Sequence, residues 1–279
     1  MRIGFVTCQV LPEPDVDEAV LLKACTAAGL EYGLLAWDGD EAHSGFDLLV
    51  LRSCWNYHID IAAFLGWLSS VESDIPVFNP PDIVRWNADK HYLADLSAKG
   101  VPTVPTNWVG RGTGMSVAQA ASELNVEKVV VKPTVSAASW KTKAFTSDGF
   151  AAAELFLSGI LTDRDAMVQP FLGSVETIGE RSVVWIDGEV THAIIKKPRF
   201  SGEEESVSEA VEPTDHEREL FAKALVGLED RLLYARLDLM LDGAGDWRVS
   251  ELELIEPSLF LSQHPAALAK FVAALKVRL

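Results

Sequence analysis

A strand-like stretch near the C-terminus, "WRVSELELIEPSLF", alternates acids with leucines. Successive side chains of a β-strand point to opposite faces, so Glu251 and Glu253 share one face while Leu252 and Leu254 share the other. Pro257 then ends the strand, because proline cannot donate a backbone hydrogen bond. The pattern has two interpretations: a half-exposed strand whose acids face water, or a pair of carboxylates that binds a divalent cation.

The net charge of the chain limits the kinds of partner that it can bind. The 279 residues carry a formal charge of −17. Nucleic acids and anionic membrane surfaces require a basic face, so we expect neither as a partner. Cys8, Cys25 and Cys54 show no paired spacing, which is typical of a reducing compartment. With no apolar run of membrane-spanning length and no signal-peptide pattern, we expect a cytoplasmic protein.

The predicted elements change character near residue 86. Before it, short apolar runs such as "RIGFV" and "FDLLVLR" alternate with helical segments, which predicts a parallel Rossmann-like α/β lobe. After it, hairpins at Asp187-Gly188 and at "DGAGD" indicate antiparallel α+β structure. We therefore predict an α/β and α+β protein with an N-terminal lobe of residues 1–86, a central subdomain of residues 87–165 and a C-terminal subdomain of residues 166–279.

The second hairpin brings a third acid beside the first two. Asp238, in "ARLDLML", lies on the strand predicted to pair with that of Glu251 and Glu253. Three carboxylates on one face repel each other in a low dielectric unless a hard cation lies between them. Oxygen ligands without Cys or His favour magnesium or manganese over zinc. Arg236 shares the face of Asp238, and this clustering of charge favours the metal-binding interpretation.

Two lysines are candidates for binding an anion. Lys132 ends the apolar run "VVVKP", where a buried lysine is costly unless it meets an anion, although an edge-strand lysine that reaches solvent is an equal alternative. Lys90, in "WNADKHYL", is by itself an ordinary surface lysine of a helix. The loop after Lys132 contains small residues, among them Ser136 and Ser139, so its backbone N–H groups can approach a phosphate closely.

Taken as a set, these motifs resemble the ATP-grasp superfamily. More closely, they are similar to its glutathione-synthetase-like branch, which includes the O-ureido-serine cyclo-ligase that closes D-cycloserine. The similarity spans nearly the whole chain. It implies an ATP-grasp fold in which a nucleotide is clamped between two α+β lobes, with ATP, two Mg²⁺ or Mn²⁺ ions, and a small-molecule substrate. The segments that carry it are "LRSCWNYH", "FNPPDIVRWNADKHYL", "VVVKPTVSAAS", "VQPFL", "GERSVVW", "YARLDLM" and "ELELIEPSLFL".

The resemblance implies a role for each candidate residue. The nucleotide-binding residues would be Lys90, Lys132, Ser136, Ser139, Gln169, Pro170, Phe171, Leu172 and, for the ribose, Glu180 or alternatively Glu176. The metal ligands would be Asp238, Glu251 and Glu253, and the catalytic residues Arg236 and Lys196. The substrate-binding residues would be Arg52, Ser53, Trp55 and Tyr57, with Arg52 pairing a substrate carboxylate.

The chain departs from the family pattern in three places. The phosphate loop lacks the usual glycines, and Glu253 stands where most ATP-grasp enzymes have Asn. The acidic segment "SGEEESVSEA", which we predict to be a mobile loop, replaces a more basic one near the substrate. Glu253 adds negative charge, which should tighten metal binding, whereas the other two departures bear on the identity of the substrate more than on the binding of ATP.

The expected function is an ATP-dependent carboxylate–amine ligase. It would act through an acyl phosphate on a small amino-acid-like substrate, with intramolecular ring closure as one form of the reaction. The alternatives are a small-molecule kinase on the same fold and a non-catalytic nucleotide-binding module. The sequence leaves the substrate and the oligomeric state open, a homodimer included.

Overall fold

A four-stranded parallel sheet forms the N-terminal lobe. The structure is a computed structural model that describes residues 1–197 and 206–279. The elements of this lobe are β1 (Arg2–Thr7), α1 (Glu18–Ala27), β2 (Glu31–Ala36), β3 (Leu48–Ser53), α2 (Ile61–Val71), β4 (Val77–Phe78) and α3 (Pro81–Asn87). The strand order is β2-β1-β3-β4 and the strands pair in parallel, so the prediction of a Rossmann-like lobe is confirmed.

An antiparallel sheet forms the centre of the chain. The next elements are α4 (Tyr92–Ala98), β5 (Asn107–Val109), α5 (Val117–Leu124), β6 (Lys128–Pro133), β7 (Lys143–Thr146), α6 (Phe150–Ile160) and β8 (Ala166–Pro170). The order is β5-β8-β6-β7, and apolar residues of α5 and α6 pack against the sheet. Because β8 pairs with both β5 and β6, the predicted boundary between residues 165 and 166 falls one strand too early for this sheet.

A second antiparallel sheet follows, in the order β11-β10-β9-β12-β13. Its part of the chain contains α7 (Ser174–Thr177), β9 (Glu180–Ile186), β10 (Glu189–Lys197), β11 (Ser206–Val207), α8 (Asp215–Leu225), β12 (Tyr234–Leu241), β13 (Trp247–Glu253) and α9 (Pro265–Arg278). Both predicted hairpins are confirmed, and at the first turn Asp187 and Gly188 have φ of 44° and 87°. Ser206 and Val207, predicted as loop, form a strand, and Glu203 to Glu205 lie outside the described residues.

None of the helices in the described parts of the chain has the length and apolar character needed to cross a bilayer.

The register of β12 and β13 places the predicted site residues side by side. Asp238 lies opposite Glu251, and Arg236 lies opposite Glu253. Side chains two positions apart on a strand share a face, so these four residues face the same way. The leucines between them point to the other face and belong to the apolar core beneath α4 and α8.

The outer edge of β13 is covered by side chains from the segment that leads into the central sheet. The Asn87 side-chain amide donates to the carbonyl of Leu252 at 2.7 Å and accepts from the N–H of Leu254 at 2.9 Å. The Tyr92 hydroxyl accepts from the N–H of Leu252 at 3.0 Å. These side chains hydrogen-bond to backbone groups that an edge strand would otherwise leave unpaired. They thereby fix the position of β13, which carries Glu251 and Glu253, relative to the segment that contains Asn87 and Tyr92.

A buried carboxylate fixes the loop after β13 to the N-terminal lobe. Asp17, just before α1, accepts the three successive backbone N–H groups of residues 259–261 at 2.6 to 3.1 Å. Arg52 lies 3.5 Å from the same carboxylate and donates to the carbonyl of Pro257 at 3.2 Å. The first and last parts of the chain are therefore joined directly behind the acid-bearing strand.

Candidate active site

A cavity of about 360 Å³ brings together side chains from the N-terminal lobe and from both antiparallel sheets. Its volume falls within the roughly 300–1,000 Å³ usual for small-molecule sites. The predicted site residues that line it are Trp55, Tyr57, Lys90, Lys132, Ser136, Ser139, Gln169, Pro170, Phe171, Leu172, Glu180, Lys196, Arg236, Asp238, Glu251 and Glu253. Residues distributed from position 55 to position 253 thus meet in one place.

Three predicted site residues do not line this cavity. Arg52 and Ser53 border a smaller pocket beside α1, where Arg52 is occupied by Asp17. The expectation that Arg52 binds a substrate carboxylate is corrected accordingly, because its guanidinium lies behind the loop that forms the cavity wall. Glu176 lies 3.6 Å from Lys128 with 47% of its side chain exposed, so Glu180 is the ribose candidate that the structure brings to the cavity.

Asp238 is held by two cations. Its carboxylate accepts from Arg236 Nε and Nη2, both at 2.9 Å, from Lys196 Nζ at 2.9 Å and from Ser182 Oγ at 2.6 Å. Burial is the largest influence on its pKa and opposes ionisation, but the charges of Arg236 and Lys196 together outweigh it and hold the pKa below its ordinary value. Asp238 is therefore an ionised carboxylate at neutral pH.

Glu251 lies between the two predicted phosphate lysines. Its carboxylate is 3.1 Å from Lys132 Nζ and 3.6 Å from Lys90 Nζ. Burial raises its pKa, but the two lysine charges more than offset this, so the pKa lies below its ordinary value. Lys90 also donates to the carbonyl of Ser136 at 2.6 Å, which ties the lysine to the phosphate loop. Glu251, a candidate metal ligand, is thus in direct contact with Lys90 and Lys132, the candidate phosphate-binding residues.

Glu253 and Glu180 belong to the same charge network, but their pKa values are raised. Glu253 accepts from Arg236 at 2.5 Å, yet burial, helped by the charge of Asp238, raises its pKa to about 7. Glu180 lies 3.0 Å from Lys196 Nζ, and burial likewise raises its pKa. Both acids keep a cationic partner but ionise less readily than Asp238.

The chemistry of these acids fits a hard divalent cation, while their present partners are protein cations. Asp238, Glu251 and Glu253 offer oxygen atoms only, as magnesium prefers. Within residues 1–197 and 206–279, however, no three acid, His or Cys side chains are grouped closely enough to hold a metal ion. Each of the three acids contacts Lys or Arg instead, so metal binding requires an exchange of partners.

The phosphate loop adopts left-handed backbone conformations without glycine. Ala138, Ser139 and Lys141 have φ of 47°, 57° and 50°. Glycine adopts this region most easily, so the loop reaches the conformation that glycines usually provide despite their absence. Turns of this kind direct N–H groups into a concave surface that suits an anion.

The hinge, Gln169 to Leu172, comprises the end of β8 and the two residues after it, and it lines the cavity. Gln169 donates through its side chain to the Thr106 hydroxyl at 2.9 Å, and the N–H of Phe171 donates to the carbonyl of Lys128 at 3.0 Å. Lys128 Nζ also lies 3.3 Å from the centre of the Phe171 ring. The apolar residues beside this hinge in the cavity lining are Val104, Val130, Val175, Met240 and Leu252. An apolar lining beside backbone groups is suited to an adenine ring.

Several residues that line the cavity were not predicted from the sequence. They are Pro12, Glu13, Asn87, Tyr92, Glu256, Ser258 and Phe260. Pro12 and Glu13 follow the first parallel strand, and loops at the carboxyl ends of such strands are the expected place for ligands. Glu256 follows the acid pair at an odd spacing, so strand alternation does not group it with Glu251 and Glu253.

The family model and the curated relative that match this chain both concern the cycloserine biosynthesis protein DcsG. A family model described as the N-terminal domain of D-cycloserine synthetase DcsG matches residues 3–79. The cycloserine biosynthesis protein DcsG of Streptomyces lavendulae is 31% identical over 294 residues, which cover 99% of this chain and 98% of the relative.

Solved structures agree with this. The crystal structure of D-cycloserine synthetase DcsG superposes with a TM-score of 0.90 at 30% identity, over 100% of this chain and 99% of that one. The D-alanine–D-alanine ligase of Bacillus anthracis in complex with ATP, at 17% identity and a TM-score of 0.71, covers 100% of this chain and 98% of the ligase, and shares the fold. The chain belongs to the DcsG family of ATP-grasp ligases.

Proposed function

We propose that this ligase closes a ring within one small molecule. It would join a carboxylate to a nitrogen of the same substrate, as in ring closure of O-ureido-serine. That closure leaves the carbamoyl group on the ring nitrogen, and its hydrolysis to carbon dioxide and ammonia would complete the formation of D-cycloserine. The full-length similarity to a D-cycloserine synthetase supports the reaction class. The observation that carries the proposal is the cavity in which two lysines and three strand-borne carboxylates meet.

ATP would bind between the two antiparallel sheets. The hinge of Gln169 to Leu172 supports an adenine site, since it combines backbone groups with an apolar wall. Glu180 faces the same cavity and is the candidate for the ribose hydroxyls. Lys90 and Lys132 are both buried, at 6% and 9% exposure, and are placed to neutralise phosphate charge beside the left-handed loop.

Asp238, Glu251 and Glu253 would hold magnesium, and two ions are proposed. Bound there, the metal would neutralise charge on the transferring phosphate. The oxygen-only set supports this choice, and the lysines that now contact these acids would be released to the phosphates. Each cation and each acid in the site would therefore keep a partner of opposite charge when the nucleotide is bound.

The chemistry would proceed in two steps. The substrate carboxylate attacks the γ-phosphate of ATP and gives an acyl phosphate and ADP. The substrate nitrogen then displaces phosphate, loses its proton and forms the C–N bond. Arg236 and Lys196 would stabilise the negative charge that develops on the carbonyl oxygen. Arg236 is held ready for this by Asp238 and by the carbonyl of Ser258 at 3.1 Å.

The decisive experiment supplies the chain with Mg-ATP and O-ureido-D-serine and follows phosphate release together with the mass of the product. We expect a cyclic product and one phosphate for each ring formed. A stable phosphorylated substrate without a C–N bond would support the kinase alternative. Nucleotide binding without turnover of O-ureido-serine, amino acids or dipeptides would support the non-catalytic module.

A further inference from the structure

One buried acid in the cavity wall differs from the rest. Glu180, Asp238, Glu251 and Glu253 each lie within 3.6 Å of a lysine or arginine nitrogen. Glu256 is only 8% exposed and also lines the cavity. Within residues 1–197 and 206–279, no hydrogen bond or ion pair joins its carboxylate to another side chain. An ionised carboxylate in this position is costly to bury unless a cation reaches it.

Glu256 lies beside residues that the sequence predicted to bind the substrate. The Trp55 indole N–H donates to the backbone carbonyl of Glu256 at 2.9 Å, so the two residues are adjacent in the wall. Trp55 and Tyr57, two of the predicted substrate-binding residues, reach the cavity from the N-terminal lobe. Ser258 and Phe260, which follow Glu256, complete the same wall. The Asp17 contacts with residues 259–261 hold this loop in place.

The electrostatics agree with an acid that awaits a cation. Burial, together with the charge of Glu253, raises the pKa of Glu256 to about 8, while Lys90 and Arg236 act only from a distance. An approaching ammonium group would stabilise the ionised form and would supply the cationic partner that residues 1–197 and 206–279 do not provide.

We propose that Glu256 binds the ammonium group of an α-amino acid substrate and thereby selects for that class of molecule. This inference rests on the proposed function, since it concerns the substrate of the same site. The carboxylate to be activated and the ammonium group would be bound at different walls, the first near Arg236 and the second at Glu256. Simple carboxylic acids without an amino group would leave Glu256 unpaired and would bind weakly.

Two ligands and two charge-matched variants test the proposal by equilibrium binding. The ligands are O-ureido-D-serine and its analogue without the α-amino group, 3-(ureidooxy)propanoate, titrated in the presence of Mg²⁺ and a non-hydrolysable ATP analogue. The variants are Glu256→Gln and, as the control, Glu229→Gln, an exposed acid in the short turn before β12. Glu256→Asp, which keeps the charge, serves as a second variant in case the amide destabilises the fold.

The expected result is a collapse of selectivity. The wild type and Glu229→Gln should bind the amino compound about thirtyfold or more tightly than the analogue, the effect expected for one buried charge pair. Glu256→Gln should weaken the amino compound by about the same factor and leave the analogue nearly unchanged, while Glu256→Asp should retain a preference.

Each other result overturns the proposal. An unchanged preference in Glu256→Gln would show that the ammonium binds elsewhere. Equal weakening of both ligands would indicate a structural role, and a changed Mg²⁺ requirement with the preference intact would identify Glu256 as a metal ligand. If the wild type binds neither compound, the substrate class is wrong. Because binding is measured without turnover, absence of a cyclic product would count against the proposed function and not against the role of Glu256.

Discussion

The carboxylate of Asp17 accepts the backbone N–H of Leu261 at 2.7 Å, although the two residues are 244 positions apart. Asp17 is fully buried and also accepts the N–H groups of residues 259 and 260. Its charge is balanced by Arg52. One side chain at the start of the chain thus determines where the loop after the acid-bearing strand lies, and with it one wall of the cavity.

Asp17→Asn should destabilise the protein. The amide cannot accept three N–H groups as the carboxylate does, and Arg52 loses its counter-ion while it stays buried. Breaking a buried ion pair from one side costs about 3–5 kcal/mol of unfolding free energy. Urea denaturation measures the change, with the exposed Asp40→Asn as the control. A loss no larger than that of the control would contradict the role given to Asp17.

Lys132→Ala should weaken nucleotide binding and leave the fold intact. The change removes a charged hydrogen bond to phosphate, worth about 1.5–3 kcal/mol, so the dissociation constant should rise about 10- to 100-fold. Calorimetry with Mg-ATP gives the affinity, and circular dichroism checks the fold. Lys143→Ala, on the exposed neighbouring strand, is the matched control. Equal affinities for the two variants would remove Lys132 from the site.

Mg²⁺ and ATP should depend on each other for binding. Glu251 now contacts Lys132 and Lys90, so the metal needs the lysines to leave and the phosphates need the acid to leave. Either ligand alone should therefore raise the melting temperature little. The two together should stabilise strongly, by about 2.7 kcal/mol at a hundredfold excess over the dissociation constant. A four-way melting experiment tests this, and purely additive shifts would argue against the exchange of partners.

Glu253→Gln should lower turnover without lowering the stability of the fold. The amide removes a buried charge whose pKa is already raised to about 7, so unfolding free energy should stay the same or rise slightly. Turnover should fall sharply and the Mg²⁺ requirement should increase, because a metal ligand is weakened. Steady-state phosphate release across Mg²⁺ concentrations provides the test. Wild-type turnover would exclude Glu253 as a ligand, whatever the melting temperature.

Glu256 should make stability depend on pH without any ligand. The pKa of Glu256 is raised from 4.5 to about 8 in the folded state. Its contribution to the free energy of unfolding is therefore fully present below pH 4.5 and is lost as the pH rises through about 8. Glu256→Gln removes this loss. Its unfolding free energy should match the wild type at the acidic end and exceed it by on the order of a few kcal/mol at pH 9. A constant difference across the range would mean that the acid is solvated.

The acid face of the last hairpin could be predicted from the sequence because alternation along a strand is a local property. Asp238, Glu251 and Glu253 share a face once the strands pair, and the turn between them is visible in the sequence. Arg52 could not be placed in the same way. It lies near the carboxyl end of β3, at the expected edge of a parallel sheet, but its partner Asp17 is distant in sequence and balances its charge.

Glu256 shows a second limit of reasoning from local pattern. It lies beyond the end of β13, where alternation no longer says which way a side chain points. Its place in the cavity depends on Trp55 from another lobe and on the loop anchored by Asp17. The phosphate loop illustrates the same limit, since the left-handed backbone at Ala138 and Ser139 appears only in three dimensions.

The covered edge of β13 also bears on the tendency of the protein to aggregate. Val249 donates to the carbonyl of Pro102 at 2.8 Å, and the amide of Asn87 and the hydroxyl of Tyr92 occupy the backbone groups beyond it. An uncovered edge offers a template for strand addition by a second chain, which is the first step of many aggregation reactions. Here the same contacts that hold the carboxylates in register also block intermolecular sheet growth along β13.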